Sequence, residues 1–345
     1  MEKGWKALPF RPISDFYKSH FGGKVYKIPV SIVDDCPNRR GLKGMETCIF
    51  CDEWGSAARA ESFTMNLCSQ IEKFKNTISS RVHSDNFLVY FQAYTNTFSK
   101  IDSLRLHLET AISFPFVKGV VVGTRPDCLS KGVLNLWTEF SQRKFLGVEL
   151  GVQSFFDDQL KFLRRGHSAQ QSIEAIQKIS ELGIDLGLHL IFGLPNETDE
   201  QIIQTAKMIN SLPVASVKLH HLHVFKNTPL QELYNKGLFL PIDRPSYARK
   251  IMTFLEHLSP KIAIHRLAAH AARWEDLVAP EWTNDKMGTH QFLVDFLRYH
   301  KTYQSARFQA RNAEELILQK ALSEKAIPTT DQAYNSLRER LTAQG

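Results

Sequence analysis

Cysteine is scarce in this chain, five in 345 residues. So few, and an odd number, exclude a disulfide scaffold and fit a reducing compartment. Long apolar runs are missing as well: stretches such as "FPFVKGVVVG" are far too short to span a bilayer. The opening "MEKGWKALPFRP" lacks the apolar centre of a signal peptide. A cytoplasmic protein with no membrane partner is therefore expected. Acidic residues are outnumbered, 36 against 43 Lys and Arg, for a net charge of +7. That balance suits a polyanionic partner such as nucleic acid and suits an ordinary basic enzyme equally well. Low-complexity tracts are absent.

What is present is a soluble composition, 43% hydrophobic and 23% charged, long enough to bury a large core. Strand-like and helix-like runs alternate from about residue 25 to 225. The strands are "VYKIPVSIV", "NFLVYFQAY", "VKGVVVGT", "FLGVELGVQ", "DLGLHLIFGL" and "VKLHHLHVF". Helical periodicity lies between them, as in "SAQQSIEAIQKISELG", which ends at a glycine stop. In the fourth strand Leu146, Val148, Leu150 and Val152 alternate with Gly147, Glu149, Gly151 and Gln153. In the fifth, Leu186, Leu188, Leu190 and Phe192 alternate with Gly187, His189, Ile191 and Gly193. An open sheet covered on both faces would be apolar on both. One glycine-rich, polar face instead predicts a partial (β/α)6 TIM-like barrel with Glu149, Gln153 and His189 pointing inward. The expected organisation is an N-terminal segment (1–24), the barrel (25–240) and a mainly helical C-terminal domain (241–345).

Three of the cysteines, Cys36, Cys48 and Cys51, sit together in "DDCPNRRGLKGMETCIFCDEWGS" as C-x11-C-x2-C. Three thiolates suit zinc or an iron–sulfur cluster. A closed zinc site needs a fourth ligand; His20, Cys68 and His83 lack a usual spacing, and Asp52 beside Cys51 is an uncommon structural ligand. A cluster held by three cysteines needs none, and leaves one iron open to a small molecule. The motif also follows the first strand, at the sheet edge where α/β folds place their sites. Cys68 and Cys128 have no CxxC partner and are expected to be buried thiols.

The three cysteines after the first strand, with Phe50 just before the last, resemble the radical S-adenosylmethionine superfamily. The first gap is longer than that superfamily's usual C-x3-C-x2-C. It is similar to the branch that holds the Elongator catalytic subunit and the YhcC/YtqA-type proteins. Further blocks carry the same likeness: "FGGKVYKIPVSIVDDCPNRRG", "YFQAYTNTF", "GTRPDCL", "ELGVQSFFDDQLKFLRRGH", "HLIFGLPNET" and "IHRLAAHA" with "LVAPEWTNDK". The resemblance implies one [4Fe-4S] cluster whose open iron chelates S-adenosyl-L-methionine. Reductive cleavage would then yield a 5′-deoxyadenosyl radical that takes a hydrogen from a substrate. It also implies an electron donor such as flavodoxin or ferredoxin.

On that resemblance Cys36, Cys48 and Cys51 are the cluster ligands. Phe50 lies near the adenine or serves as core packing. Gln153 and Arg165 have the separation of a cofactor-contacting pair in oxygen-independent coproporphyrinogen oxidase. A guanidinium fork matches a methionyl carboxylate. Glu149 meets the ribose or a substrate group, or pairs internally with a barrel lysine such as Lys27, and His189 touches cofactor or substrate or is a core histidine. The superfamily's Gly-Gly-Glu element is absent, and Gln92 is the natural substitute acceptor for the methionyl amine. In "KLHHLHVF", His221 and His223 share one face and His220 takes the other, so no local three-histidine set is expected.

Trp282 and Lys286 are candidates for substrate contact, and tRNA is the leading substrate, from the basic charge and the Elongator likeness. A small metabolite or porphyrin-like substrate is the alternative. A zinc-stabilised RNA-binding protein without catalysis is the second. Arg298, Lys301, Arg307 and Arg311 do not form one helical stripe that would track phosphates.

Overall fold

The computed structural model describes residues 8–33, 35–52, 65–82, 84–271 and 273–309. Six parallel strands lie side by side in chain order: β1 (Tyr26–Val30), β2 (Phe87–Phe91), β3 (Val117–Thr124), β4 (Phe145–Gln153), β5 (Asp185–Phe192) and β6 (Ser216–His221). A short antiparallel pair joins β7 (Val224–Phe225) to the distant β9 (Leu277–Ala279), and β8 (Ala263–Ile264) joins the outer edge of β6. The sheet therefore has seven strands in one unbroken parallel order, the arrangement of a barrel left open between its first and last strands.

The described α-helices are α1 (Ile13–Phe21), α2 (Leu67–Ser79), α3 (Ile101–Ile112), α4 (Lys131–Ser141), α5 (Asp157–Phe162), α6 (Ala169–Ser180), α7 (Asp199–Asn210), α8 (Pro229–Asn235), α9 (Arg244–His257) and α10 (Lys286–Tyr299). Several starts follow from sequence: Ser168 and Thr198 each form a full capping box, with Gln171 and Gln201, before α6 and α7. The apolar residues of α6 and α7 meet the even positions of β4 and β5 in the main core, where Leu150, Leu188 and Leu190 are fully buried. The other face of those strands carries Gly147, Glu149, Gly151, Gly187 and His189, as the alternation requires.

Two features were not expected. Helix α1, in what reads as a leader segment, packs Tyr17, Phe16 and Phe21 against Leu88, Tyr90, Val121 and Phe145, beneath the inner face of the sheet. It closes the lower end of the barrel. The C-terminal part is fastened to that end by Gln304, which accepts from Arg11 N at 2.8 Å and donates to the carbonyls of Ser259 and Ile262. The helical segments expected beyond α10, and Arg311, lie outside the described residues. Arg307 pairs with Glu256 at 3.0 Å rather than standing free. No helix among the described residues is long and apolar enough to cross a membrane.

Candidate active site

A cavity of about 340 Å³ opens at the C-terminal ends of the strands. Cys36, Cys48, Phe50 and Cys51 line its rim. Gln92, Gln153 and Arg165 line it too, as do Glu149 and His189 lower down. Nine of the eleven residues singled out from sequence thus meet in one place. Trp282 and Lys286 do not line it. Trp282 stacks on His221 at 4.3 Å and donates its indole N–H to the carbonyl of Ile242, a packing role behind β6. Lys286 opens α10 on the exposed surface.

All five cysteines are free thiols, and Cys36 and Cys48 are buried. Cys68 corrects an expectation, for it is exposed in the first turn of α2, while Cys128 is half-buried. Turns of five and six residues shape the loop between Cys36 and Cys48: Arg40 N bonds the Cys36 carbonyl and Leu42 N the Pro37 carbonyl, both at 3.1 Å. Asn38, buried at the centre of the loop, donates to the carbonyls of Glu46 (2.6 Å) and Arg164 (2.7 Å). Arg125 then bonds the Asn38 side-chain oxygen, donates to the Arg165 carbonyl at 2.6 Å, and forks onto Asp127 with two bonds of 2.8 Å. Both motifs, "NRRG" and "TRPD", are therefore fastenings for the cysteine loop. Periodicity could not reveal them, because the bonded partners lie 87 residues apart.

Arg165 is the buried cation of the rim. Its Nη1 lies 3.3 Å from Cys48 Sγ, its Nη2 donates to the Gly151 carbonyl at 3.0 Å, and its buried Nε has no partner among the described residues. A guanidinium N–H left unpaired in the interior is costly unless a ligand supplies an acceptor. The strand ends around it are strained in the same direction: Ala93, Tyr94 and Gln153 all have positive φ, of 70°, 50° and 70°. Three free thiols, an unpaired guanidinium hydrogen and an amide on one cavity wall fit a cluster and an amino-acid ligand. Among the described residues no three His, Cys, Asp or Glu side chains converge to share a single ion. Cluster ligands need not converge, since each thiolate takes a separate iron.

Gly151 makes room for this arrangement. A Cβ there would lie 2.9 Å from Gln153 Nε2 and 3.3 Å from Arg165 Nη2. Gly151→Ala is expected to displace those flexible ends, weakening S-adenosylmethionine binding about tenfold while the fold persists. Equilibrium binding of the cofactor to reconstituted protein, with a thermal melt beside it, checks both halves.

Deeper in the barrel a single carboxylate organises the floor. Glu149, 2% exposed, accepts from Lys27 through Oε1. Its Oε2 accepts from Lys218 (2.8 Å), Tyr90 (2.7 Å) and His189 (2.6 Å). The internal pair with Lys27 is present, so both oxygens already have protein partners. Burial alone would raise the Glu149 carboxyl, but Lys218 and Lys27 hold it well below the usual carboxylate range. Burial, reinforced by Lys218, pushes His189 down to about 4, so it is neutral and donates its Nε2–H to Glu149. His220 stacks on His189 at 5.2 Å, while His221 and His223 bring their Nε2 atoms to 3.1 Å.

The comparisons with known proteins agree with this geometry. Residues 30–209 match the family model of the Radical SAM superfamily, and residues 214–298 match the Radical SAM C-terminal domain. The chain belongs to the Radical SAM superfamily, whose enzymes use a [4Fe-4S] cluster and S-adenosylmethionine. It is 31% identical to YtqA of Bacillus subtilis over 300 residues, covering 87% of this chain and 93% of that one. YhcC of Escherichia coli is 31% identical over 287 residues, 83% of this chain and 91% of that one. A tRNA uridine(34) acetyltransferase of Methanocaldococcus infernus is 31% identical over 143 residues, 41% of this chain but 26% of that one. The solved structure of Elp3 from the same archaeon, lacking its first 46 residues, superposes with a TM-score of 0.61 at 17% identity. It covers 81% of this chain and 64% of that one, which shows a shared fold.

Proposed function

We propose that Cys36, Cys48 and Cys51 hold a [4Fe-4S] cluster and that the enzyme modifies a nucleoside of tRNA. The observation that carries the first half is the meeting of three free cysteines on one cavity rim with the Arg165 guanidinium, whose Nε has no partner among the described residues. Bound there, cluster and S-adenosylmethionine would supply reductive sulfonium cleavage and a carbon radical. The chain's own residues position and enclose: Arg165 and Gln153 take the methionyl carboxylate and ribose hydroxyls, Gln92 accepts from the amine, and Phe50 covers the adenine. Asn38 and Arg125 keep the cysteine loop in place. A flavodoxin- or ferredoxin-type donor supplies the electron, and the cytoplasm is the compartment in which free thiols and such donors coexist.

The second half rests on the rim's surface and on the tRNA-acting relative. Arg39 and Lys43 are exposed on the cysteine loop, and Trp274, 62% exposed, follows Arg273 of the cavity wall. Cations to meet phosphates beside an exposed aromatic ring to stack a base are the elements of single-stranded RNA recognition. Total tRNA added to the reduced, reconstituted enzyme is expected to stimulate 5′-deoxyadenosine release, with the stimulation falling steeply as salt rises. Release that ignores tRNA and salt but responds to a small acid would point to a metabolite instead.

A further inference from the structure

The floor of the cavity has more positive charge than its own carboxylate can balance. Lys218 and Arg266 line it, Lys27 also reaches Glu149, and Glu149 is the one acid that bonds any of them among the described residues. Asp185, at the lower end of β5, makes no ion pair among the described residues. Both oxygens of Glu149 are taken by Lys27, Lys218, Tyr90 and His189. Arg266 bonds no acid among the described residues, and Glu149 acts on it only through its charge at a distance. It follows β8, and its carbonyl accepts from Leu219 N at 3.1 Å, which fixes the side chain over the inner face of β6. Its Nη2 lies 2.9 and 2.8 Å from the two ring nitrogens of His220. A donor equally near both cannot lie along either lone pair, so His220 supports the guanidinium without neutralising it. Arg266 Nε is buried and bonds nothing among the described residues. A guanidinium desolvated in this way needs an anion, and its planar fork suits the oxygens of a carboxylate or phosphate.

We propose that Arg266, backed by His220, binds the anionic group, a carboxylate or phosphate, of a small molecule seated on the cavity floor. The cavity of about 340 Å³ admits such a group but not a polynucleotide backbone. This reading rests on the proposed placement of S-adenosylmethionine at the rim, with its own carboxylate on Arg165. The bound acid is then a second reactant, or an acidic substituent of the substrate that reaches below the cofactor. His220 adds no charge of its own to that floor: burial first, then Arg266, holds it well below its ordinary range.

Titration of inorganic phosphate and of acetate into the full chain without cluster, by calorimetry at constant ionic strength, tests the anion site independently of any radical chemistry. The wild type is expected to bind at least one of them in preference to chloride. Arg266→Gln weakens that binding about tenfold or more, and Arg266→Lys, which keeps the charge but loses the fork, gives an intermediate loss. The lysine variant decides the matter if the glutamine variant does not fold. In reconstituted protein, Arg165→Gln weakens S-adenosylmethionine binding and Arg266→Gln leaves it within about twofold. No preference over chloride, or equal anion binding in both Arg266 variants and wild type, overturns the proposal. So does a loss of S-adenosylmethionine affinity in Arg266→Gln equal to that of Arg165→Gln, since the acid would then be the cofactor's own carboxylate. Failure of the cluster to assemble would instead count against the function proposed above and leave the anion result standing.

Discussion

Cys48→Ala is expected to leave a folded protein that, after anaerobic reconstitution, holds little iron and produces no 5′-deoxyadenosine above the level of protein without iron. The thiol is buried, lies 3.3 Å from Arg165 Nη1, and belongs to a loop whose shape is set by Asn38 and Arg125 rather than by the sulfur itself. Its removal therefore deletes a ligand without deleting the fastenings around it. Cys68→Ala is the matched control, because that thiol is exposed on α2 and does not line the cavity. Iron and sulfide quantification with a visible spectrum checks the ligand claim. A Cys48→Ala protein with wild-type iron content would remove this residue from the set.

The largest stability effect is expected at Glu149. Glu149→Gln keeps the shape and takes away the only acid that Lys27 and Lys218 bond among the described residues, leaving two cations without that compensation. Breaking a buried ion network from one side costs about 3–5 kcal/mol, to be read from urea unfolding. The wild-type pH dependence follows from the same groups. Glu149 is depressed in the folded state, so its contribution is full above the unfolded value near about 4.3 and is lost as pH falls below it. His189, held down to about 4, and His220 and His265, held well below their ordinary range, stay neutral in the fold. Each would be protonated in the unfolded chain below about 6.5, so stability starts to fall there, before the carboxylate is affected. The urea midpoint should decline between neutrality and pH 5 in wild type and in Glu149→Gln alike. A flat profile over that interval would mean that these histidines are already charged.

The barrel was legible because its strands obey two rules at once. β3 and β4 run over the expected residues, and the period-two alternation of β4 and β5 shows which residues face the cavity. Glu149 and His189 were found in that way, and the thiolates by their spacing. Parity fails where the backbone bends: Gln153 follows a register shift and has positive φ, yet still lines the cavity. Helix α1 escaped notice because nine residues with three aromatics carry too little pattern to separate a plug from a tail. Asn38 and Arg125 escaped because long-range side-chain bonds leave no periodic trace. Arg266 stood in the quoted "IHRLAAHA" block and was not singled out, since a lone arginine gains meaning only when its missing acid is visible. Trp282 stands in the opposite case: it lies outside the cavity lining and stacks on His221, a placement that sequence does not reveal.

The central claim is that three cysteines and Arg165 make this barrel mouth a site for S-adenosylmethionine cleavage. Its most direct test is mass-spectrometric assay of 5′-deoxyadenosine after the full chain, reconstituted with iron and sulfide, is given dithionite and S-adenosylmethionine, with total tRNA present. Release that depends on iron and is lost in Cys48→Ala is the expected result. A protein that takes up one zinc and no iron, or that holds a full cluster and releases no 5′-deoxyadenosine with tRNA present, would contradict it.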